Sequence, residues 1–337
     1  REAVREFAEN EVAPHAERIH RGDELVPEDF ITKMAELNFF GLSVPEEYGG
    51  SEMGNLAMIL TTEELSRASL AGAGSLITRP EILTKALEGG GTEDQKREWL
   101  PKIAAGEVMV GISVTEPDIG SDVAGVKCRA VQRDDGDWVI NGPKAWCTFA
   151  GRANVLAVLC RTDPDLSKGA KGLSLFIVPK DAFEGHSFEM KQDGGGRLVG
   201  KADATPGYRG MHSFTLNFEN FSVPADNLVG GEGGLGRGFY LQMAGFAAGR
   251  LQTGGRACGL APFGPAATMV SKDGPVAPSR RISGARGGAE VGRSGAGDSA
   301  AGAGSAVSPG PAGGVEPDRC RTTSSFSSLP PGPVAST

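Results

Sequence analysis

Two short segments of the chain carry side chains that together could hold a ligand. Residues 111–122 read Gly-Ile-Ser-Val-Thr-Glu-Pro-Asp-Ile-Gly-Ser-Asp, and residues 144–148 read Lys-Ala-Trp-Cys-Thr. Hydroxyl groups and the free amides of a glycine-containing loop can bond carbonyl and phosphate oxygens without adding charge. An indole ring offers a flat face on which another ring can stack. The two segments therefore predict a site for a flat, polar, phosphate-bearing ligand that lies against a β-sheet.

Four side chains of these segments are the candidate ligand contacts. Thr115 and Ser121 lie in the same loop and can face one ligand. Trp146 can stack on a ring system, and Thr148 can hydrogen-bond a ring nitrogen, because residues i and i+2 of a strand point to the same face. A polar turn and a core tryptophan are the simpler interpretation of each segment alone. Their combination, in this order, favours a binding site.

The composition limits the classes of partner. The net charge of −8 and the sequence pI near 5.2 argue against a nucleic-acid backbone or an anionic membrane surface as the main partner. No apolar run approaches the roughly 20 residues that span a bilayer. The chain begins at Arg1 inside a predicted helix and shows no signal segment. We therefore expect a cytoplasmic protein that lacks an upstream piece, with a removed targeting segment as the open alternative.

Cysteine and histidine usage predicts neither disulfides nor a metal centre. The five cysteines are scattered and odd in number, which is typical of buried, inert thiols in a reducing compartment. The four histidines make no metal-binding pattern, since His15 and His20 are five residues apart and do not share a helix face. The sequence therefore predicts no metal ligands.

The spacing of apolar residues and the composition change three times along the chain. Residues 1–108 carry apolar side chains at three- and four-residue spacing and predict a helical domain. Residues 109–229 contain short apolar or alternating segments and predict an antiparallel β domain. Residues 230–261 begin in a glycine-rich stretch and predict one long helix. Residues 262–337 are dominated by Gly, Ala, Pro and Ser and predict disorder. The predicted fold class is α+β.

Two local patterns predict specific backbone features. Thr92-Glu-Asp-Gln95 is typical of a capping box that opens a helix. Asn141-Gly142 favours a type I′ turn, so residues 138–140 and 144–148 are predicted to pair as a hairpin.

Six motifs follow one another along the first three quarters of the chain. They are Gly91-Thr-Glu-Asp-Gln-Lys-Arg-Glu-Trp-Leu-Pro101, Val114-Thr-Glu-Pro-Asp-Ile-Gly-Ser-Asp-Val-Ala-Gly125, Asn141-Gly-Pro-Lys-Ala-Trp-Cys-Thr148, Gly207-Tyr-Arg-Gly210, Val223-Pro-Ala-Asp-Asn-Leu-Val-Gly230 and Ala248-Gly-Arg-Leu-Gln-Thr253. In order and spacing they resemble the acyl-CoA dehydrogenase family of flavoproteins, and the resemblance covers about residues 1–261.

The resemblance implies an architecture and a reaction. Each subunit of a homotetramer or dimer would have N-terminal helices, a β domain and a C-terminal four-helix bundle, with FAD between the last two. The family reaction is α,β-dehydrogenation of an acyl-CoA thioester in fatty-acid or amino-acid catabolism. A glutamate removes the α proton while the β hydride passes to flavin N5. An electron-transferring flavoprotein would be the electron acceptor.

The resemblance also assigns roles to the candidate residues. Val114 and Thr115 would contact the pyrimidine edge of the isoalloxazine ring. Ser121 would hydrogen-bond the pyrophosphate or the CoA part of the substrate. Trp146 would pack on the flavin, and Thr148 would hold N5.

The chain departs from the family pattern at the catalytic base. The family glutamate usually lies in a Tyr-Glu-Gly context, which does not occur here. Some relatives place the base just before the arginine near the acyl-CoA; that arginine matches Arg250, and the preceding residue is Gly249. We therefore expect no catalytic base in this chain. Glu116, Asp118 and Asp122 match loop carboxylates that cap and bond the turn.

The family pattern breaks off near residues 259–261. The Arg-x-x-Phe-Gly motif, which reaches the FAD across the subunit interface, is absent. We therefore expect the bundle to be truncated or translated out of frame over 262–337, and the chain to be catalytically incomplete. A non-catalytic fragment, either a flavin- or thioester-binding remnant or an assembly subunit, is the alternative from another class. An acyl-CoA oxidase is the alternative within the same chemistry.

Two stretches indicate a substrate branch. Residues 75–81 and 194–213 look most like the branch that acts on 2-methylsuccinyl-CoA and other short branched thioesters. A solvated loop explains the basic residues Arg197, Lys201 and Arg209 equally well.

Overall fold

The computed structural model describes residues 1–261. Its helices are α1 (Glu2–Phe7), α2 (Ala13–Gly22), α3 (Glu28–Glu36), α4 (Gly54–Ala68), α5 (Thr78–Gly90), α6 (Glu93–Ala104) and α7 (Gly238–Leu260). None of these helices combines the length and the apolarity that a membrane span needs, within the described part of the chain. The predictions for residues 262–337 lie outside the described residues, and the domain boundaries at 108, 229 and 261 stay predictions.

Local sequence sets the ends of the helices, as at α6. The Thr92 hydroxyl accepts a hydrogen bond from the Gln95 amide at 3.2 Å, and the Gln95 side chain accepts one from the Thr92 amide at 3.1 Å. The predicted capping box is therefore confirmed. The Gln95 side-chain amide also donates to the carbonyls of Asp226 and Leu228, at 2.7 Å each. The same residue thus caps α6 and ties it to the segment that follows the sheet.

The strands within residues 1–261 form one eight-stranded sheet. They are β1 (Val110–Ser113), β2 (Arg129–Gln132), β3 (Trp138–Thr148), β4 (Val155–Arg161), β5 (Leu173–Pro179), β6 (Ser187–Lys191), β7 (Arg197–Ala202) and β8 (Ser213–Val223). Their order is β1-β4-β2-β3-β8-β7-β6, and β5 pairs with β4. Neighbours are antiparallel except where β4 runs parallel to β1 and β2. The predicted α+β class is confirmed, with a sheet that is mostly rather than wholly antiparallel.

The core face of the sheet follows the alternation in β8. Phe214, Leu216 and Phe218 are buried together in one apolar cluster, while the residues between them are more exposed. Alternate residues of a strand point to opposite faces, so this period-two pattern places the aromatic side chains inward, as predicted.

The predicted hairpin at Asn141-Gly142 is wrong. Both residues lie inside β3, which pairs with β8 from Trp138 opposite Val223 to Thr148 opposite Ser213. Gly142 instead marks a bulge, with φ of +135°. A Cβ atom there would stand 3.0 Å from the Cys128 Cα. The glycine therefore permits the close approach of Cys128, the residue before β2. The long partner strand β8 overrides the local turn preference.

The last described helix, α7, packs against α4 and α5 and also touches β5. Its glycines permit close backbone approach: a Cβ atom at Gly245 would lie 2.4 Å from the Ile82 carbonyl oxygen, and one at Gly259 would lie 2.4 Å from that of Glu63. This seam places one face of α7 across a cavity from β1 and the end of β3.

Candidate active site

A cavity of about 310 Å³ opens between the sheet and the helices α5 and α7. The sheet wall consists of β1 with the loop after it and the end of β3, and the helix wall is built by α5 and α7. The lining residues are Thr78, Arg79, Ile82, Ile112, Val114, Thr115, Ala145, Trp146, Thr148, Phe246, Gly249, Arg250, Thr253 and Arg256. These lining residues include members of both candidate segments, 111–122 and 144–148.

Five of the six predicted site residues meet at this cavity. They are Val114, Thr115, Trp146, Thr148 and Arg250. Ser121 is exposed in the loop before residue 123 and is not among the lining residues of the described chain. The cofactor and substrate roles of all six residues stay predictions.

A β-bulge brings Trp146 to the cavity. The register of β3 against β8 shifts between Lys144 and Cys147, and Trp146 adopts the left-handed backbone conformation with φ of +58°. Its side chain is 59% exposed. Thr148 is buried beside it, with its hydroxyl 3.1 Å from that of Ser213. Trp146 and Thr148 both line the cavity, at the point where the bulge interrupts the regular pairing of β3 with β8.

A buried ion pair fixes the loop that carries Val114 and Thr115. Lys144 Nζ donates to Glu116 Oε1 and to the carbonyl of Val114, at 3.0 Å each, and its side chain is fully buried. The Glu116 carboxylate also accepts from the amides of Lys127 at 2.9 Å and Cys128 at 2.7 Å. These bonds agree with the turn-bonding role expected for Glu116. The role of Lys144 was not recognised from the sequence, although it lies inside a quoted motif.

Three guanidinium groups border the cavity, from Arg79 of α5 and from Arg250 and Arg256 of α7. Arg256 Nη1 donates to the Ser75 hydroxyl at 2.9 Å, and the Tyr208 hydroxyl donates to the same oxygen at 2.7 Å. The Arg79 guanidinium lies 5.7 Å from the centre of the Tyr208 ring.

Burial and charge shift the pKa values in this arginine group. Burial lowers the pKa of Arg256. Burial alone would raise the pKa of the Tyr208 hydroxyl, but the charges of Arg79 and Arg256 bring it below its ordinary value. The cavity edge is thus strongly electropositive, and an anionic group is the ligand that would suit it. Of these three arginines, only Arg250 was predicted from the sequence as a site residue.

No aspartate or glutamate of the described residues lines the cavity. Gly249 lies on its helix wall, where a Cβ atom would come within 3.1 Å of the Ile82 Cδ1 atom. The described walls therefore supply hydroxyls, an exposed indole and cations, but no carboxylate.

The chain is similar to known proteins over most of its described length. Residues 1–107 match the family profile of the acyl-CoA dehydrogenase N-terminal domain, and residues 111–221 match that of the middle domain. The (2S)-methylsuccinyl-CoA dehydrogenase of Cereibacter sphaeroides is 40% identical over 262 residues, which cover 77% of this chain and 46% of that protein. The chain spans about half the length of the curated relatives it matches.

Solved structures show the same likeness. The glutaryl-coenzyme A dehydrogenase complex with glutaryl-CoA superposes with a TM-score of 0.68 at 28% identity, over 77% of this chain and 62% of that one. A glutaryl-CoA dehydrogenase from Mycobacterium smegmatis in complex with FADH2 superposes with a TM-score of 0.63 at 26% identity, over 77% and 60% of the two chains.

Proposed function

Because the chain belongs to the acyl-CoA dehydrogenase family, we propose that its cavity takes part in the FAD-dependent α,β-dehydrogenation of an acyl-CoA thioester. The observation that carries the proposal is the meeting of Val114, Thr115, Trp146 and Thr148 on one cavity wall. These residues come from two segments that the sequence alone assigned to a flat, phosphate-bearing ligand.

The chemistry of this wall fits a flavin. The exposed indole of Trp146 offers an apolar face for a ring system, and the Thr148 hydroxyl can donate to a ring nitrogen. The backbone of Val114 and Thr115 offers polar groups at a ring edge, held in place by the Lys144–Glu116 pair. A bound flavin would supply the hydride acceptor. The chain's own residues would bind and orient it against the sheet.

The residues of the helix wall favour a substrate that carries a negative charge on its acyl group in addition to the charges of CoA. Arg79, Arg250 and Arg256 border the cavity, and an acyl group that carries a carboxylate would offer these cations a counter-charge. A carboxylate on the acyl group would pair with a guanidinium in a bidentate manner. The relative from Cereibacter sphaeroides bears the name of a dehydrogenase for such a substrate. We therefore place 2-methylsuccinyl-CoA, or a short branched thioester like it, at this wall.

The proposed reaction needs a base that residues 1–261 do not bring to the cavity. Gly249 stands where some family members carry the glutamate, and it has no side chain to abstract a proton. Residues 1–261 would then bind and position the cofactor and the thioester. We further propose an electron-transferring flavoprotein as the electron acceptor and a homo-oligomer as the working form, as in the family.

An FAD titration followed by flavin fluorescence tests the cofactor site. We expect saturable FAD binding by the 337-residue chain, because residues 1–261 supply the sheet wall of the site. Thr148→Ala should weaken FAD binding several-fold, and Thr148→Ser should restore it. Thr215→Ala, an exposed threonine on β8, is the matched control. If Thr148→Ala and Trp146→Ala both bound FAD as tightly as the parent protein does, the cofactor site could not lie on this wall.

Competition between two CoA esters tests the substrate class. We expect Arg256→Met to weaken binding of 2-methylsuccinyl-CoA by roughly 10-fold or more and to leave 2-methylbutyryl-CoA nearly unchanged. Equal losses for both esters would contradict the carboxylate assignment. Oxygen consumption that depends on the ester, without an added electron acceptor, would favour the oxidase. A chain that binds neither FAD nor thioester would favour a non-catalytic fragment.

A further inference from the structure

Three side chains of the types that bind metals meet outside the proposed active site. His212 Nε2 lies 3.1 Å from Asp23 Oδ1 and 3.1 Å from His186 Nε2, and His186 Nε2 lies 3.8 Å from Asp23 Oδ2. Potential ligand atoms of the three residues all lie within 4.8 Å of one another. Asp23 follows the last residue of α2, His186 precedes β6 and His212 precedes β8. The fold alone assembles this Asp23–His186–His212 cluster, since 189 residues separate Asp23 from His212.

The separations match those between ligands of one metal ion. Two imidazole nitrogens bound to Zn²⁺ at about 2.1 Å in a tetrahedral arrangement stand about 3.4 Å apart. His212 Nε2 lies 3.1 Å from both His186 Nε2 and Asp23 Oδ1, and His186 Nε2 lies 3.8 Å from the other carboxylate oxygen, Oδ2; each separation differs from that value by less than about half an ångström. The two imidazole rings meet at 67° with their centres 4.5 Å apart, so neither ring covers the other. Small side-chain rotations would complete the ligand triangle.

The cluster is fixed on one side and open on the other. His212 is only 4% exposed, while the side chains of Asp23 and His186 are 47% and 48% exposed. An ion can therefore reach the open side, where water would fill the remaining coordination positions.

Two features limit the affinity. Arg209 Nε lies 3.2 Å from Asp23 Oδ1 and competes with a cation for that oxygen. His212 Nδ1 is buried and, among the described residues, has no hydrogen-bond partner. Ligating histidines usually donate this second nitrogen to an acceptor, and losing that bond lowers metal affinity by about 10- to 100-fold. Two imidazoles and one carboxylate favour Zn²⁺ and its transition-metal neighbours over Mg²⁺ and Ca²⁺.

We propose that Asp23, His186 and His212 bind a divalent transition-metal ion, Zn²⁺ being the best match, and that this ion ties the end of α2 to the loops before β6 and β8. The site is weaker than a four-ligand structural zinc centre. It is independent of the cavity that holds the candidate flavin contacts, so it can be tested without cofactor or substrate.

Calorimetric titration of the metal-free 337-residue protein with Zn²⁺ is the direct test. The protein should carry Cys258→Ser and Cys320→Ser, because thiols bind zinc and Cys258 is exposed. We expect one ion per chain and a Tm that rises with zinc concentration. His186→Ala should weaken binding by about 10-fold or more, and His186 is exposed enough for this variant to fold. Co²⁺ bound to this site should absorb in the visible range without a thiolate charge-transfer band.

His15→Ala is the matched control, because this histidine is exposed on α2 and lies outside the cluster. It should bind zinc as the parent does. Equal zinc affinity in the parent, His186→Ala and His212→Ala would overturn the proposal. The absence of any zinc-dependent heat or Tm shift in the parent would also overturn it and leave the cluster as a hydrogen-bonded contact.

Discussion

Replacing Lys144 with methionine should destabilise the fold and release the loop that carries Val114 and Thr115. The side chain of Lys144 is fully buried and makes two hydrogen bonds, each of 3.0 Å, to Glu116 and to the carbonyl of Val114. In Lys144→Met both acceptors stay buried, and the Glu116 carboxylate loses its counter-charge. Removing one partner of a buried pair costs about 3–5 kcal/mol. We expect the lower half of that range, because two backbone amides still bond the carboxylate.

Urea unfolding followed by far-UV circular dichroism measures this loss. Lys127→Met is the matched control: its side chain is exposed and only its backbone amide bonds Glu116, so we expect a change within about 0.5 kcal/mol. The double variant Lys144→Met with Glu116→Gln removes both charges. Its loss should fall short of the sum of the single losses by about 1–3 kcal/mol. A Lys144→Met loss under about 1 kcal/mol, or additive losses, would refute the reasoning.

Two further perturbations concern stability alone. The hydrogen bond from Arg5, offset in part by burial, lowers the pKa of Glu64 from 4.5 to about 2. Because the folded pKa is depressed, the bond stabilises the fold above pH 4.5 and is lost as the pH falls towards 2. Glu64→Gln should therefore lower the free energy of unfolding by about 2 kcal/mol at neutral pH, a value reduced to allow for solvent screening because Arg5 is partly exposed. Urea titrations should show the difference in stability between variant and parent disappear in acid. Gly142→Ala should cost at least about 2 kcal/mol and lower the Tm, because φ there is positive and a Cβ atom would crowd Cys128. Gly207→Ala should leave the Tm nearly unchanged, because its Cβ position faces open space.

The features that the sequence predicted well depend on short-range interactions. The capping box at Thr92 needs only residues three apart, and the inward face of β8 needs only alternation. The loop and strand segments that meet at the cavity were recognisable because each motif is continuous in sequence. Thr115, Trp146 and Thr148 were predicted from these motifs as contacts of one ligand, the family resemblance added Val114, and all four residues line the cavity.

The features that the sequence missed depend on contacts between distant segments. The turn expected at Asn141-Gly142 is a bulge because β8 pairs along the whole of β3. The Asp23–His186–His212 cluster joins segments up to 189 residues apart, and a search for local histidine spacing passes over it. Arg256 reaches the cavity edge through its bonds to Ser75 and Tyr208, which no local pattern links to it.

The backbone at Trp146 supports a ligand role for this residue on energetic grounds. A non-glycine residue in the left-handed conformation costs about 1–2 kcal/mol. Trp146 has φ of +58°, yet its side chain is 59% exposed, so burial of the indole does not offset that cost in the described structure. Packing therefore gives no reason for a large aromatic residue at this bulge. Strain of this kind is typical of sites where a side chain is held ready for a ligand. A flat ring stacked on the indole would bury it and recover the missing free energy.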